Sequence, residues 1–272
     1  MPALTLGFIV NPLAGLGGSR GLKGSDGAEL RSLAMTLSPT EKQRSNERAA
    51  RAMQCLCTIE HVSILTWGGA MGGDLCASLG LSHRSVGQHN ATLSAAADTR
   101  LAAEAIMAVG VDVLVFVGGD GTARDIFDVV GDSFPVLGVP AGVKMHSGVF
   151  AVSPEAAGEL LKELAMGGLV GLRRQEVRDI DEDAFRHDQV RSRFYGDMQV
   201  PGEGRYLQHT KVGGRESQEL VAADIAAWVT EQLDQGFLYI IGPGSTTAAI
   251  MAELGLDNTL LGVDVVRDRQ LL

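Results

Sequence analysis

Cysteine is scarce: Cys55, Cys57 and Cys76 are the only three in 272 residues. Cys55-Leu56-Cys57 lacks the two-residue gap of a zinc or redox motif, and no partner Cys/His cluster follows it. The three read as buried thiols in a reducing cytosol. Aromatic residues make up 5% of the chain, so a core must be packed from Ala, Val, Leu and Ile. No dense run of Lys or Arg occurs, and the formal net charge is −10 with a pI near 5.1. A nucleic-acid partner needs a basic face that displaces counterions, so none is expected. The nearest cluster, Arg173-Arg174 with Arg178, reads as a solvated edge. Leu4–Val10 is too short to span a bilayer and no basic n-region precedes it, so a cytoplasmic protein without a membrane partner is expected. Absent too are H-E-x-x-H, C-x-x-C, G-x-S-x-G and Walker sequences, which leaves metalloprotease, redox and serine-hydrolase readings without support.

Glycine is what the chain has in excess, 35 of 272 residues, set in short runs between apolar segments. Such runs suit tight βα turns and close backbone approach to a ligand. Leu4–Val10, ended by Asn11-Pro12, predicts a buried first strand, and a glycine-rich loop follows through Gly27. Ser38-Pro39-Thr40-Glu41 predicts the start of a polar helix running to about Cys55, and His61–Thr66 a second strand. Leu101, Ala105, Ile106 and Val109 have helical spacing, with Gly110 as the C-cap residue. Asp112–Val117 predicts a strand covered on both faces. Thr122 with Asp125 then forms a T-x-x-D helix start, with Ile126, Val129 and Val130 as its buried stripe, and Phe134–Val139 is the next strand. This β-α-β punctuation predicts an α/β fold, with an open, mostly parallel, Rossmann-like sheet over residues 1–150.

Beyond Phe150 the texture changes. Ser153-Pro154-Glu155 opens a helix that ends near Gly167-Gly168, and Arg174–Ile180 and Arg191–Val200 read as polar antiparallel strands. Ser217–Gln235 predicts an amphipathic helix with Leu220, Val221, Ile225, Trp228, Val229 and Leu233 on one side. Phe237–Ile241, a short helix to Leu254 and Thr259–Val265 predict a further β-α-β unit. Residues 151–272 are thus expected to form a second, α+β substrate domain.

The chemistry gathers at strand ends. Gly118-Gly119-Asp120-Gly121-Thr122 leaves a buried strand and opens a helix, the place where open α/β sheets bind ligands. Its glycines admit phosphate oxygens to backbone N–H groups, and the helix start adds positive potential. An aspartate there repels phosphate, so its presence argues for a chemical role, either accepting a proton from an attacking hydroxyl or holding a magnesium ion. Asn11, Gly15, Gly17 and Gly18 form a similar loop after the first strand, and Lys23 is a candidate counter-charge. Lys144 and His146, after the Phe134–Val139 strand, can reach phosphates or a ribose hydroxyl. Ser245 and Thr246, in Gly242–Thr247, serve equally as phosphate ligands or as helix caps. The first two loops are expected at one edge of the sheet.

These segments together resemble the superfamily that joins NAD kinases to diacylglycerol-kinase-type lipid kinases. Asn11–Gly18, Gly21–Gly27, Gly118–Ile126 and Val139–Ala151 resemble in particular its prokaryotic, ATP- or polyphosphate-dependent NAD kinase-like branch. The resemblance implies phosphoryl transfer from ATP or polyphosphate, with Mg2+, to the 2′-hydroxyl of the NAD adenosine ribose. It implies that Asp120 meets the acceptor hydroxyl and that Gly118, Gly119 and Gly121 line the phosphate site. It also implies a chain that ends short of its relatives, which continue past a segment like Gly262–Val266. NAD kinases proper carry an Asn-Glu pair after this motif, whereas Asn46-Glu47 is the only such pair here and lies upstream. The alternatives are a kinase of another metabolite or lipid, and a nucleotide-binding regulatory module without catalysis. The charge and the lack of a basic amphipathic helix speak against a lipid acceptor. A homo-oligomer is the expected assembly.

Overall fold

The computed structural model describes residues 4–15, 39–88, 94–142, 145–180, 192–202, 207, 218–259 and 262–272. The chain forms two compact units, Met1–Thr210 and Lys211–Leu272. The division lies well past the boundary expected near residue 150.

The first unit runs β1 (Leu4–Val10), α1 (Pro39–Met53), β2 (Val62–Gly68), α2 (Gly73–Ser78), β3 (His83–Gln88), α3 (Ala96–Val109), β4 (Val113–Gly118), α4 (Asp120–Val130), β5 (Val136–Pro140), α5 (Pro154–Ala165), β6 (Leu172–Ile180) and β7 (Ser192–Pro201). Five strands form a parallel sheet in the order β3-β2-β1-β4-β5. β4 and β5 are buried along their whole length, as continuous apolar runs covered on both faces must be. The chain travels outward from β1 to β3, then returns to place β4 and β5 on the other side of β1. The reversal between β1 and β4 opens the crevice where open α/β sheets take ligands.

Three local expectations are corrected. The edge strand β3, His-Arg-Ser-Val-Gly-Gln, was not anticipated; it is paired on one side only and has no buried residue, so no apolar run marks it. α4 begins at Asp120 with Gly119 as its extended N-cap, so Thr122 lies inside the first turn and does not cap it. In α3 the buried face is Thr99, Ala102, Ala103 and Ile106, while Leu101 and Val109 are half exposed. The small residues win because they let the helix pack closely.

β6 and β7 pair antiparallel, as expected. The hairpin is tied to the rest of the unit: Gly148 N donates to Glu176 O at 2.8 Å, and Tyr195 meets Phe127 edge-to-face at 5.7 Å. These contacts hold it in the first unit.

The second unit contains α6 (Gln218–Glu231), β8 (Leu238–Ile241), α7 (Ser245–Glu253), β9 (Asp264–Arg267) and β10 (Gln270–Leu271). β8 and β9 run antiparallel in a sheet ordered β10-β9-β8, which corrects the parallel β-α-β unit expected there. β9 therefore begins beside the end at which β8 finishes, Asp264 opposite Ile241. The buried Asp264 fixes that entry, accepting from Thr259 N at 2.9 Å and Thr259 Oγ1 at 2.8 Å. α6 buries Ala222, Ala226, Ala227 and Thr230 and leaves Ile225 and Trp228 of the expected stripe exposed, while Val229 and Leu233 are half-buried and the side chains of Leu220 and Val221 lie outside the described residues.

Candidate active site

The parallel register sets Val10 beside Val117 and Gly118 beside Pro140, so the loops after β1, β4 and β5 leave the sheet side by side. The shared edge expected for the first two is observed. Asn11 joins them: its N–H donates to Val117 O at 3.0 Å, and its Nδ2 donates to Thr122 Oγ1 at 2.9 Å. Its Oδ1 accepts from Leu13 N at 3.0 Å, shaping the turn out of β1. Gly15 adopts φ +83°, and a Cβ there would lie 2.4 Å from Ala141 O, so only glycine lets the first loop rest on the third. The third loop is held to the second by Ala141 N and Gly142 N, which donate to Gly118 O at 2.9 and 3.2 Å.

Asp120 stands in the first turn of α4, half-buried. Its Oδ2 accepts from His146 N at 2.7 Å and its Oδ1 from Ser147 N at 3.0 Å. The carboxylate is thereby oriented by the third loop. Ser147 in turn accepts from Arg178 N at 2.9 Å, tying that loop to β6. His146 is buried and meets Asp120 through its backbone. Behind the turn, the buried Asp125 pairs with Arg100 at 2.5 Å, which locks α4 to α3.

Asn11, Gly15, Gly118, Gly119, Asp120, Gly121, Thr122 and His146 therefore come together at one edge. Gly17, Gly18, Lys23 and Lys144 lie outside the described residues. Ser245 and Thr246 open α7 in the second unit, after Gly244 at φ +156°. Two features are missing from the sequence-based expectations. The turn after β2, Gly68–Gly73, leaves the same sheet edge and carries the same glycine-rich grammar. The α1 face bearing Arg44, Ser45 and Arg48 packs onto the loops, and its signal was basic residues at helical spacing before the buried Ala49, Ala52 and Met53.

Among the described residues, no group of three His, Cys, Asp or Glu gathers to hold a metal ion, and no helix is long and apolar enough to cross a membrane. Burial pushes the Cys55 thiol up to about 11 and the Cys76 thiol up to about 12. Cys57, expected to be buried, is exposed.

Residues 6–169, more than half of the chain, match the ATP-NAD kinase N-terminal domain. The chain belongs to the NAD kinase family. The match runs from β1 to just past α5 and takes in all three converging loops. A domain of the NAD kinase family makes the protein a phosphotransferase. No curated protein and no solved structure gives a significant match.

Proposed function

We propose that the protein is an NAD kinase, moving the terminal phosphoryl group of ATP, or of polyphosphate, to the 2′-hydroxyl of the NAD adenosine ribose to give NADP. The observation that carries this reading is the convergence of three strand-end loops around one oriented carboxylate, Asp120, in an NAD-kinase-family domain. The ribose oxygen attacks the terminal phosphorus, the bond from that phosphorus to its bridging oxygen breaks, and ADP or the shortened polyphosphate leaves. The hydroxyl proton passes to Asp120 and then to solvent. A carboxylate oxygen carries two lone pairs, so accepting one backbone N–H on each oxygen is compatible with this contact. The transition state is loose, so the protein's part is chiefly to position the groups and to stabilise charge. Gly118–Gly121 and the first turn of α4 offer backbone N–H groups to the phosphates.

Kinases of this family use a divalent metal, and the donor set fits magnesium, which binds through one or two carboxylates together with substrate phosphates. The ion would neutralise phosphate charge; were Asp120 to hold it, the hydroxyl proton would pass to solvent water instead. A second reading, another hydroxyl metabolite as acceptor, is favoured by the position of Asn46-Glu47 on α1, upstream of Gly118–Thr122.

The test is incubation with NAD, ATP or polyphosphate, and magnesium, followed by NADP quantification. NADP forms, and Asp120→Asn lowers its rate about 10²–10⁴-fold. No NADP with either donor overturns NAD as acceptor, and unchanged turnover in Asp120→Asn overturns the role of Asp120.

A further inference from the structure

α1 turns a basic face to the loop cluster. Arg44, Ser45 and Arg48 stand at i, i+1 and i+4, on one side of the helix. Ser45 Oγ donates to Asn11 O at 2.7 Å, and Arg48 Nη1 donates to Pro140 O at 3.2 Å. This face therefore meets the β1 loop and the end of β5 directly. The Cδ of Arg44 lies 3.5 Å from the point a Cβ on Gly15 would occupy, the same point that is 2.4 Å from Ala141 O. The Arg44 stem thus lies beside the contact between the first and third loops. Arg48 is 8% exposed.

We propose that Arg44 is a donor-binding residue, its guanidinium taking oxygens of the donor's phosphate chain, and that Arg48 is a positioning residue, holding the Pro140 carbonyl and with it the turn through Ala141. The inference rests on the kinase reading above and names the group that receives the donor. A guanidinium fork matches two phosphate oxygens at once, so it suits a phosphate chain and gains nothing from adenosine alone. Arg48 acts one step back: Ala141 and Gly142 donate to Gly118 O, so a displaced Pro140 carbonyl moves the backbone that shapes Gly118–Gly121.

The test uses the whole chain and three probes, ATP, tripolyphosphate and adenosine, read by ligand-induced thermal stabilisation and by steady-state kinetics. Arg44→Gln weakens ATP and tripolyphosphate binding about 10- to 100-fold, leaves adenosine binding unchanged, and Arg44→Lys restores part of the loss. Arg48→Met lowers kcat more than it raises the KM for ATP, and Arg48→Lys, which can still donate to Pro140 O, recovers most of it. Arg44→Gln with tripolyphosphate binding within twofold of the parent overturns the role of Arg44. A parallel loss for adenosine overturns it too. An Arg48→Met variant that shifts only the KM for ATP, or that Arg48→Lys fails to rescue, overturns the positioning role. The binding arms need no NAD turnover. Intact tripolyphosphate binding without NADP formation therefore counts against the acceptor alone.

Discussion

Gly118→Ala should be among the most damaging single-methyl additions to the domain. A Cβ at Gly118 would lie 2.4 Å from both Cβ and Oγ1 of Thr122 and 2.7 Å from its Cγ2. Thr122 is 1% exposed, and because its own Cβ is in the clash, no change of rotamer relieves it. Either the end of β4 or the first turn of α4 must move. Movement of the helix strains the bond from Asn11 Nδ2 to Thr122 Oγ1, and movement of the strand strains the two amides that donate to Gly118 O. Overpacking of this kind costs about 1–3 kcal/mol, and one weakened neutral hydrogen bond adds about 1, giving a destabilisation of about 2–4 kcal/mol.

Urea unfolding at constant m-value measures this directly. Thr122→Gly removes the atoms the new methyl group meets, at about 1 kcal/mol for glycine in a helix plus about 1 for the lost bond to Asn11. Combined with Gly118→Ala, it should give a double variant that loses about 1–2 kcal/mol less than the sum of the single losses. A Gly118→Ala loss below about 0.5 kcal/mol, or strict additivity with Thr122→Gly, refutes the close approach of strand end and helix start.

At Gly158 a Cβ would lie 2.8 Å from Ala52 O and 3.3 Å from Cys55 Sγ, so Gly158→Ala should separate α1 from α5 at a cost of about 1–3 kcal/mol. A melting temperature unchanged from the parent would contradict that packing. Glu155 pairs with Arg51 across the same two helices; burial pushes its carboxyl up, but the hydrogen bond and charge of Arg51 outweigh it and the net shift is below the ordinary 4.5. A depressed folded value gives stability that is present above about pH 4.5 and lost as the pH falls through the folded value. Both side chains are a third or more exposed, so Glu155→Gln should cost under about 1 kcal/mol at pH 7. Parent and variant should converge in acid; a difference that persists there would assign the effect to packing.

β1, β4 and β5 were legible because strands buried on both faces must be continuously apolar, and their glycine-rich exits were legible because few other sequences leave a strand that way. β3 was not, since an edge strand paired on one side can be polar. Leu101 on α3 and Ile225 and Trp228 on α6 were expected inward and are exposed, because a bulky apolar side chain outranks alanine in a sequence pattern, whereas close packing prefers Ala102, Ala103, Ala226 and Ala227. The extent of the first unit was hidden because the β6–β7 hairpin is held by contacts such as Ser147 with Arg178 and Phe127 with Tyr195, which carry no local signature. At the site, Asn11 and Asp120 were chosen by residue type. Their partners, Thr122 at 111 positions and His146 at 26 positions along the chain, are tertiary facts.

Those partners change what Asp120→Asn must be expected to do. The carboxylate accepts two backbone N–H groups, one on each oxygen, whereas a carboxamide accepts on one side only and presents a donor on the other. One amide, of His146 or of Ser147, loses its acceptor and faces a second donor, at about 1–3 kcal/mol. The substitution should therefore loosen the 145–147 loop as well as remove the base, and the two effects separate by assay. The loop effect appears as reduced resistance to urea and is shared by Asp120→Ala. The chemical effect appears in kcat at saturating nucleotide and persists under conditions where both variants are fully folded. If Asp120→Asn retains the parent's resistance to urea, the two amide bonds are not made in solution. If its kcat recovers once the folded state is enforced, Asp120 holds the loop and takes no part in moving the proton.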